Sequence, residues 1–304
     1  MPSTLAVTNN LDTGVAGDGS LRGEIAAAKN NDTIVFDPSL SGQTIGLFGD
    51  GELVINKNLT IHGPSAPLSS VSISGGGFSR VFEVDGTNTI VSLSNLNLIY
   101  GNGWSGNPVI TLNGQGGAIW NGGTLTVSGC NLSNNHANNG ILGLGGAIYN
   151  AGTLTVRNST LDNNSVYLGG AIYRDGGAIY NAGTLTISNS TLDDNTAGRS
   201  GDAGYGGGVF NAYRASAIIT GSRLSGNIAG GSFSDVGDGI YNDGTMALSG
   251  SIVSGNSGDG IVNDKKGHLA ITSKSSVVSN SGYDLYNLGA VKISTDSDVG
   301  VIGK

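Results

Sequence analysis

Between Gly116 and Ala197 the chain writes nearly the same stretch three times: GGAIWNGGTLTVSGCNLSNNHA, GGAIYNAGTLTVRNSTLDNNSV and GGAIYNAGTLTISNSTLDDNTA. Looser copies follow as GGGVFNAYRASAIITGSRLSGNIA, DGIYNDGTMALSGSIVSGN and DGIVNDKKGHLAITSKSSVVSN. A fixed period of this size marks a solenoid, because one unit cannot bury its own apolar face and the stacking of neighbours makes the core. Few other features of a sequence restrict the fold so tightly.

Each copy holds three short apolar runs separated by turn residues. The first ends in Ile-Tyr-Asn, the second is Leu-Thr-Val or Leu-Thr-Ile, and the third is a lone Leu before Asn/Asp-rich sequence. Alternation with period two and β-branched residues predict strands, and the intervening Gly, Asn and Ser predict turns. Three strands per unit, wound continuously, give an all-β, single-stranded parallel β-helix with three sheets. Superposing the copies puts Ile119, Ile148, Ile179, Val209, Ile240, Ile261 and Leu285 in one inward column. Leu125/Val127, Leu154/Val156, Leu185/Ile187, Ala217/Ile219 and Met246/Leu248 form the second, and Leu132, Leu161, Leu192, Leu224, Val253 and Val277 the third.

The asparagines Asn121, Asn150, Asn181, Asn211, Asn242, Asn263 and Asn287 recur just after the first strand. An amide side chain both donates and accepts, so a stacked row predicts an Asn ladder from coil to coil. Trp120, Tyr149, Tyr180, Phe210, Tyr241 and Tyr286 precede them and, by alternation, point outward. That column is read as rung-to-rung packing in preference to a sugar-stacking platform.

The 304 residues are read as one domain, with 1–50 as N-terminal cap and first coil and 51–304 as stacked coils. The 54 glycines fall at repeat positions and read as turns. A net charge of −8 without a basic stretch argues against nucleic acid as a partner. Cys130 is alone, which excludes an internal disulfide framework and a cysteine-based zinc site. No apolar run approaches transmembrane length, and the first residues lack the pattern of a signal peptide. Near the start, Gly19 to Lys29 predicts a short capping helix, with Ser20 as cap and Leu21, Ile25 and Ala28 on one face. The strand Asp32 to Phe36 follows, and irregular coils are expected at 53–55, 59–61, 71–73, 81–84 and 90–98. The last coil has no comparable lid, so either further sequence or charges such as Asp296 and Asp298 would guard its edges.

Gly-Gly-Ala-Ile recurs at 116–119, 145–148, 169–172 and 176–179, paired with Leu132-Ser-Asn-Asn135, Leu161-Asp-Asn-Asn164 and Leu192-Asp-Asp-Asn195. This resembles the GGA[ILV] and FxxN repeat pair of the polymorphic outer-membrane proteins and related bacterial surface β-helices, with Leu standing where that family has Phe. The segment Gly19 to Ile25 followed by Asp32 to Phe36 is similar to the capping segment of the same group. The resemblance implies a right-handed coil, export, and a secreted or cell-surface, adhesin-like role; a C-terminal translocator barrel is not seen.

Candidate chemistry is sparse. Asp193-Asp194 is the obvious carboxylate pair for glycosidic hydrolysis, yet neighbours on a turn point apart, and Asp162 and Asn163 hold the same columns one coil earlier. The Gly-His-Gly and Arg-x-Lys segments of polygalacturonases do not occur, and His62, His136 and His268 lie far apart in coil order. Asp238, Asp259 and Asp284 recur before consecutive first strands and form a weak calcium candidate beside a reading as turn acids bonded to local backbone. No other cofactor is called for. The irregular stretch from Val166 to Arg214 gathers Tyr167, Tyr173, Arg174, Asp175, Arg199, Asp202, Tyr205, Tyr213 and Arg214, a set suited to a glycan or a surface protein. The pairs Thr124/Thr126, Thr153/Thr155 and Thr184/Thr186 form an outward grid of the kind found on ice-binding solenoids, which breaks at Ser216/Ile218. The sequence thus predicts an adhesin-like scaffold with no catalytic residue assigned; a polysaccharide lyase or glycoside hydrolase is the alternative, and an ice-binding Thr array the second.

Overall fold

A computed structural model describes residues 1–47, 51–65, 69–103, 114–137, 143–166, 175–198, 204–230 and 237–304. These residues form a right-handed parallel β-helix. A typical coil runs Ile148–Asn150, Thr153–Arg157 and Thr160–Asp162, one strand in each of three sheets. The first sheet collects the Ile-x-Asn strands, the second the five-residue Leu-Thr-Val strands, and the third the strands with one central Leu. Among the described residues they hold ten, eleven and ten strands, all paired in parallel across adjoining coils.

The register follows the repeat. Ile119 pairs with Ile148, Ile148 with Ile179, and the row continues through Val209, Ile240 and Ile261 to Leu285. Leu132, Leu161, Leu192, Leu224, Val253 and Val277 stack likewise in the third sheet. All of them are buried in one continuous aliphatic shaft, together with the paired inward columns of the second sheet. Each such side chain contributes roughly 1.5–3 kcal/mol by leaving water.

The corners explain why a coil can close in so few residues. Between the second and third sheets stands a left-handed residue in coil after coil: Asn95, Gly129, Asn158, Asn189, Gly221 and Gly250, all with φ between 48° and 62°. Only glycine and the short amides and acids adopt this conformation at small cost. Asn95 divides the expected run 90–98 into two strands, Ile90–Ser94 and Leu96–Ile99.

Three polar rows line the coil. The predicted amide row is present, each Nδ2 donating to the next Oδ1 at 2.7–2.8 Å from Asn121 to Asn287. A second row, outside the expected ladder, runs Asn135, Asn164, Asn195, Asn227, Asn256 and Asn280 at 2.8–3.0 Å. It closes on Asp284 Oδ1, which accepts from Asn280 Nδ2 at 2.9 Å. In the third row the hydroxyls of Ser159, Ser190, Ser222, Ser251 and Ser275 each accept the backbone N–H one coil earlier, beginning with Cys130.

The cap is the helix Leu21–Ala27. Ser20 Oγ accepts from Gly23 N at 3.0 Å and Glu24 Oε1 from Gly19 N at 2.9 Å, a reciprocal closure of the first turn. Leu21, Ile25 and Ala28 are buried on the shaft, as the spacing predicts. The solenoid, however, begins before the cap: Thr4–Val7 is already the first strand of the second sheet, paired with Asp32–Phe36.

Candidate functional site

Connections from the third sheet to the first are unequal. In five consecutive coils they span 100–118, 134–147, 163–178, 194–208 and 226–239; in the next two they shrink to 255–260 and 279–284. Their described parts keep coil order. Ser165–Val166, Thr196–Ala197 and Ile228–Ala229 form a short fourth sheet. Where these connections return, Leu144 and Tyr205 pack on the outward aromatic column of the first sheet.

That column is a stack of rings. Trp120 and Tyr149 lie 6.3 Å apart, Tyr149 and Tyr180 5.4 Å, Tyr180 and Phe210 5.1 Å, and Phe210 and Tyr241 5.2 Å, all within 11° of parallel. Neighbouring rings cover each other's faces, so only edges turn outward; the rung-packing expectation fits this geometry better than a sugar platform. Tyr286 is not part of the stack, because Val262 holds the intervening rung and Tyr286 packs on Tyr283 instead.

The nine residues expected at a ligand face divide. Tyr167, Tyr173, Arg174, Arg199 and Asp202 lie outside the described residues. Asp175 is fully buried in the turn before its strand, where its carbonyl accepts from Gly145 N at 2.7 Å. Tyr205 sets its ring edge-on to Tyr241, 4.8 Å between centroids at 74°. Tyr213 and Arg214 stand at another corner of the same coil, between the first and second sheets. Tyr213 is 48% exposed and carries the Arg214 guanidinium 5.2 Å and the Lys266 ammonium 4.6 Å from its ring centre. The Thr grid faces outward in register on three coils; the next coil offers Ser216 and Ile218, and Arg157 flanks it.

The acids expected near chemistry stand at strand ends and in turns, Asp162 and Asp193 closing strands of the third sheet. Asp194 is a left-handed corner residue (φ 51°), and Asp193 accepts from the Ser225 hydroxyl. Burial, then the charges of Asp194 and Asp193, raise the Asp162 carboxyl above its ordinary value. Asp238, Asp259 and Asp284 do not open toward a common point. Their carboxylates accept from Ala229 N at 2.9 Å, Tyr283 N at 2.7 Å, and Asn280 N and Val301 N at 3.0 and 2.8 Å. Among the described residues no group of three or more His, Cys, Asp or Glu could hold a metal ion. His62 bonds the hydroxyls of Ser94 at 2.7 Å and Ser65 at 3.3 Å, His136 bonds that of Ser165 at 2.6 Å, and His268 is exposed on the second sheet.

One charged cluster escaped the sequence reading. Arg80 is fully buried, its Nε donating to the carbonyls of Gln115 and Gly116 at 3.0 and 3.1 Å. Its Nη1 pairs with Glu52 and lies 3.7 Å from Glu83. Glu83 occupies the outward column directly below Trp120. Burial above all pushes the Glu52 carboxyl up to about 7; Arg80 pulls the other way, while the charge of Glu83 and a hydrogen bond shared with it add to the rise. Two carboxyls in direct hydrogen-bond contact are too close for glycoside hydrolysis, which separates them by about 5–9.5 Å to admit a sugar or a water. The signal in the sequence is faint: a Glu ahead of one apolar strand and an Arg ahead of the next.

Coil, cap and stacked polar rows thus define a parallel β-helix protein. No protein-family model and no curated protein matches the chain, so the likeness to the outer-membrane repeat family rests on its motifs. Among solved structures it is similar to the crystal structure of pectate lyase Pel9A, with 13% identity, a TM-score of 0.52, and coverage of 99% of this chain and 79% of that one. A looser likeness, with TM-score 0.40 and 13% identity, joins 95% of this chain to 60% of ORF18 of Geobacillus virus E2. The first likeness shows the shared fold. No helix among the described residues is long and apolar enough to cross a membrane.

Proposed function

We propose that this protein is an extracellular or cell-surface β-helix scaffold that binds a glycan or a surface protein through one flank. The observation that carries the reading is the run of five long connections on a single corner, two of which pack on the aromatic stack through Leu144 and Tyr205. A rigid solenoid holds the strand ends that bear such segments at fixed spacing, which suits recognition of an extended ligand. The repeat motifs, similar to those of bacterial surface β-helices, support export. A glycan array with the purified chain tests the proposal: binding lost on Tyr205→Ala supports it, and no binding to any glycan or surface protein removes it.

A second reading, cleavage of a polysaccharide, is favoured by the fold shared with pectate lyase Pel9A, at the level of fold alone. Reducing-sugar and unsaturated-product assays distinguish the two; turnover abolished by changing Asp193, Asp194 or Asp202 would replace the scaffold reading. Thermal hysteresis tests the Thr array as an ice-binding face.

A further inference from the structure

A different face of the coil carries a second site. Along the outward middle column of the second sheet, Thr126, Thr155 and Thr186 give way to Ile218 and then to Ala247 and Ala270. The side chains shrink to methyl groups over two rungs, and the sheet surface sinks. The result is an open groove of about 300 Å³ whose outward lining is Thr245, Ala247, His268, Ala270, Ala290 and Lys292. Ile218, 48% exposed, forms its upstream shoulder.

The charge of this groove opposes that of the protein. The chain carries −8 overall, yet the charged side chain in the lining is Lys292 and no carboxylate is present there. Two residues before His268, Lys266 lies over the ring of Tyr213, which Arg214 also approaches. The acids of the same turns are drawn to the other side. Asp264 is hydrogen-bonded to Tyr241, and Asp243 acts on that same phenol, both on the outer flank of the first sheet. Cations therefore collect where the second sheet begins, and carboxylates where the first sheet ends.

We propose that this groove binds a chain of carboxylated sugars, an oligouronate. An apolar methyl floor accepts the flat side of a pyranose, and Thr245 offers a hydroxyl to sugar hydroxyls. Lys266 and His268 come from one coil and Lys292 from the next, about 4.8 Å along the axis, and the Lys266 ammonium leans back toward Tyr213 of an earlier coil. Cations strung along the helix axis match acids spaced along a polymer better than one compact anion, which needs donors converging on a point. The net charge of −8 disfavours nucleic acid. This site is separate from the aromatic flank and shares with the earlier candidate set only Tyr213 and Arg214.

Calorimetric or NMR titration with tetramannuronate, beside neutral mannotetraose, tests the proposal. The acidic tetramer is expected to bind, more weakly as salt shortens the Debye length, and the neutral one not to bind. The double variant Lys266→Ala/Lys292→Ala removes two exposed groups without touching the core and should weaken binding roughly tenfold. Ala270→Phe fills the floor while leaving every charge in place and should abolish binding. The proposal is overturned if both tetramers bind alike, if neither binds, if the lysine variant binds unchanged, or if inorganic phosphate displaces tetramannuronate at equal concentration. Tyr205→Ala separates the two sites: it should leave tetramannuronate binding intact even where it abolishes binding on the aromatic flank.

Discussion

Asn150 and Asn181, 31 residues apart in the chain, are joined by a 2.8 Å hydrogen bond from the amide nitrogen of the first to the side-chain oxygen of the second. Asn181 in turn donates to Asn211 Oδ1 at 2.8 Å and to the carbonyl of Ser216 at 3.0 Å, with no exposure to solvent. The row exists because each coil places the same side chain at the same corner. Asn181→Leu keeps the volume and strands polar partners on both adjoining rungs, at roughly 1–3 kcal/mol for each. Urea unfolding should show that loss, whereas Thr184→Ala on the exposed face should stay within about 0.5 kcal/mol.

Buried carboxyls set the pH dependence. Glu52 rises from 4.5 to about 7 and Asp238 from 3.8 to about 6, both chiefly through burial. The folded chain therefore holds more protons than the unfolded chain between about pH 4 and 7, and stability falls across that window as pH rises. Glu52→Gln imitates the protonated acid, keeps a donor toward Glu83 and removes one titration. Urea midpoints measured from pH 4 to 8 should decline less in this variant, chiefly in the upper half of the range; an unchanged slope would contradict the assignment.

Removing the cation is a different matter. Arg80→Met leaves Glu52 and Glu83 facing each other in a buried site without compensation, a change that costs on the order of 3–5 kcal/mol. It also frees the carbonyls of Gln115 and Gly116 from their guanidinium donor. The melting temperature should drop accordingly, and more at pH 8 than at pH 5, where one carboxyl holds its proton.

Cys130 opens the serine row and is buried, and its thiol is pushed up to about 11 by that burial. A neutral, enclosed thiol is a poor nucleophile. A maleimide or disulfide reagent should leave the native protein unmodified at neutral pH and label it fully in denaturant. Cys130→Ser places a hydroxyl where the following coils already have one and should fold normally.

Gly146 lies against the next rung so closely that a Cβ would come 2.2 Å from Gly177 O and 2.6 Å from Ser165 N. Both contacts are backbone, so neither can turn aside. Gly146→Ala should therefore lower the unfolding midpoint far more than Gly255→Ala, which meets open space and bears only the strain of its left-handed φ of 68°.

Much of this was legible from the repeat. Ile148 over Ile179, Leu154 over Leu185 and the first amide row follow from laying one copy on the next. The capping helix was legible because Ser20 and the spacing of Leu21, Ile25 and Ala28 are local signals. The second amide row was present in the recurring Asn135, Asn164 and Asn195 but is not separable by sequence from ordinary turn asparagines.

Position within a repeat determines which like residues meet, since a parallel coil stacks each position on itself; that much the chain declares without coordinates. Contacts between unlike positions were decided by the tertiary structure alone. Arg80 reaches Glu52 one rung away and at a different place in the repeat. Tyr213 reaches Lys266 past the turn holding Gly244, whose missing side chain lets the turn pack against the carbonyls of Ala212 and Ala215. The placement of cations on one side of a corner and acids on the other likewise depends on which way each side chain leaves its turn, and periodicity carries no information about that direction.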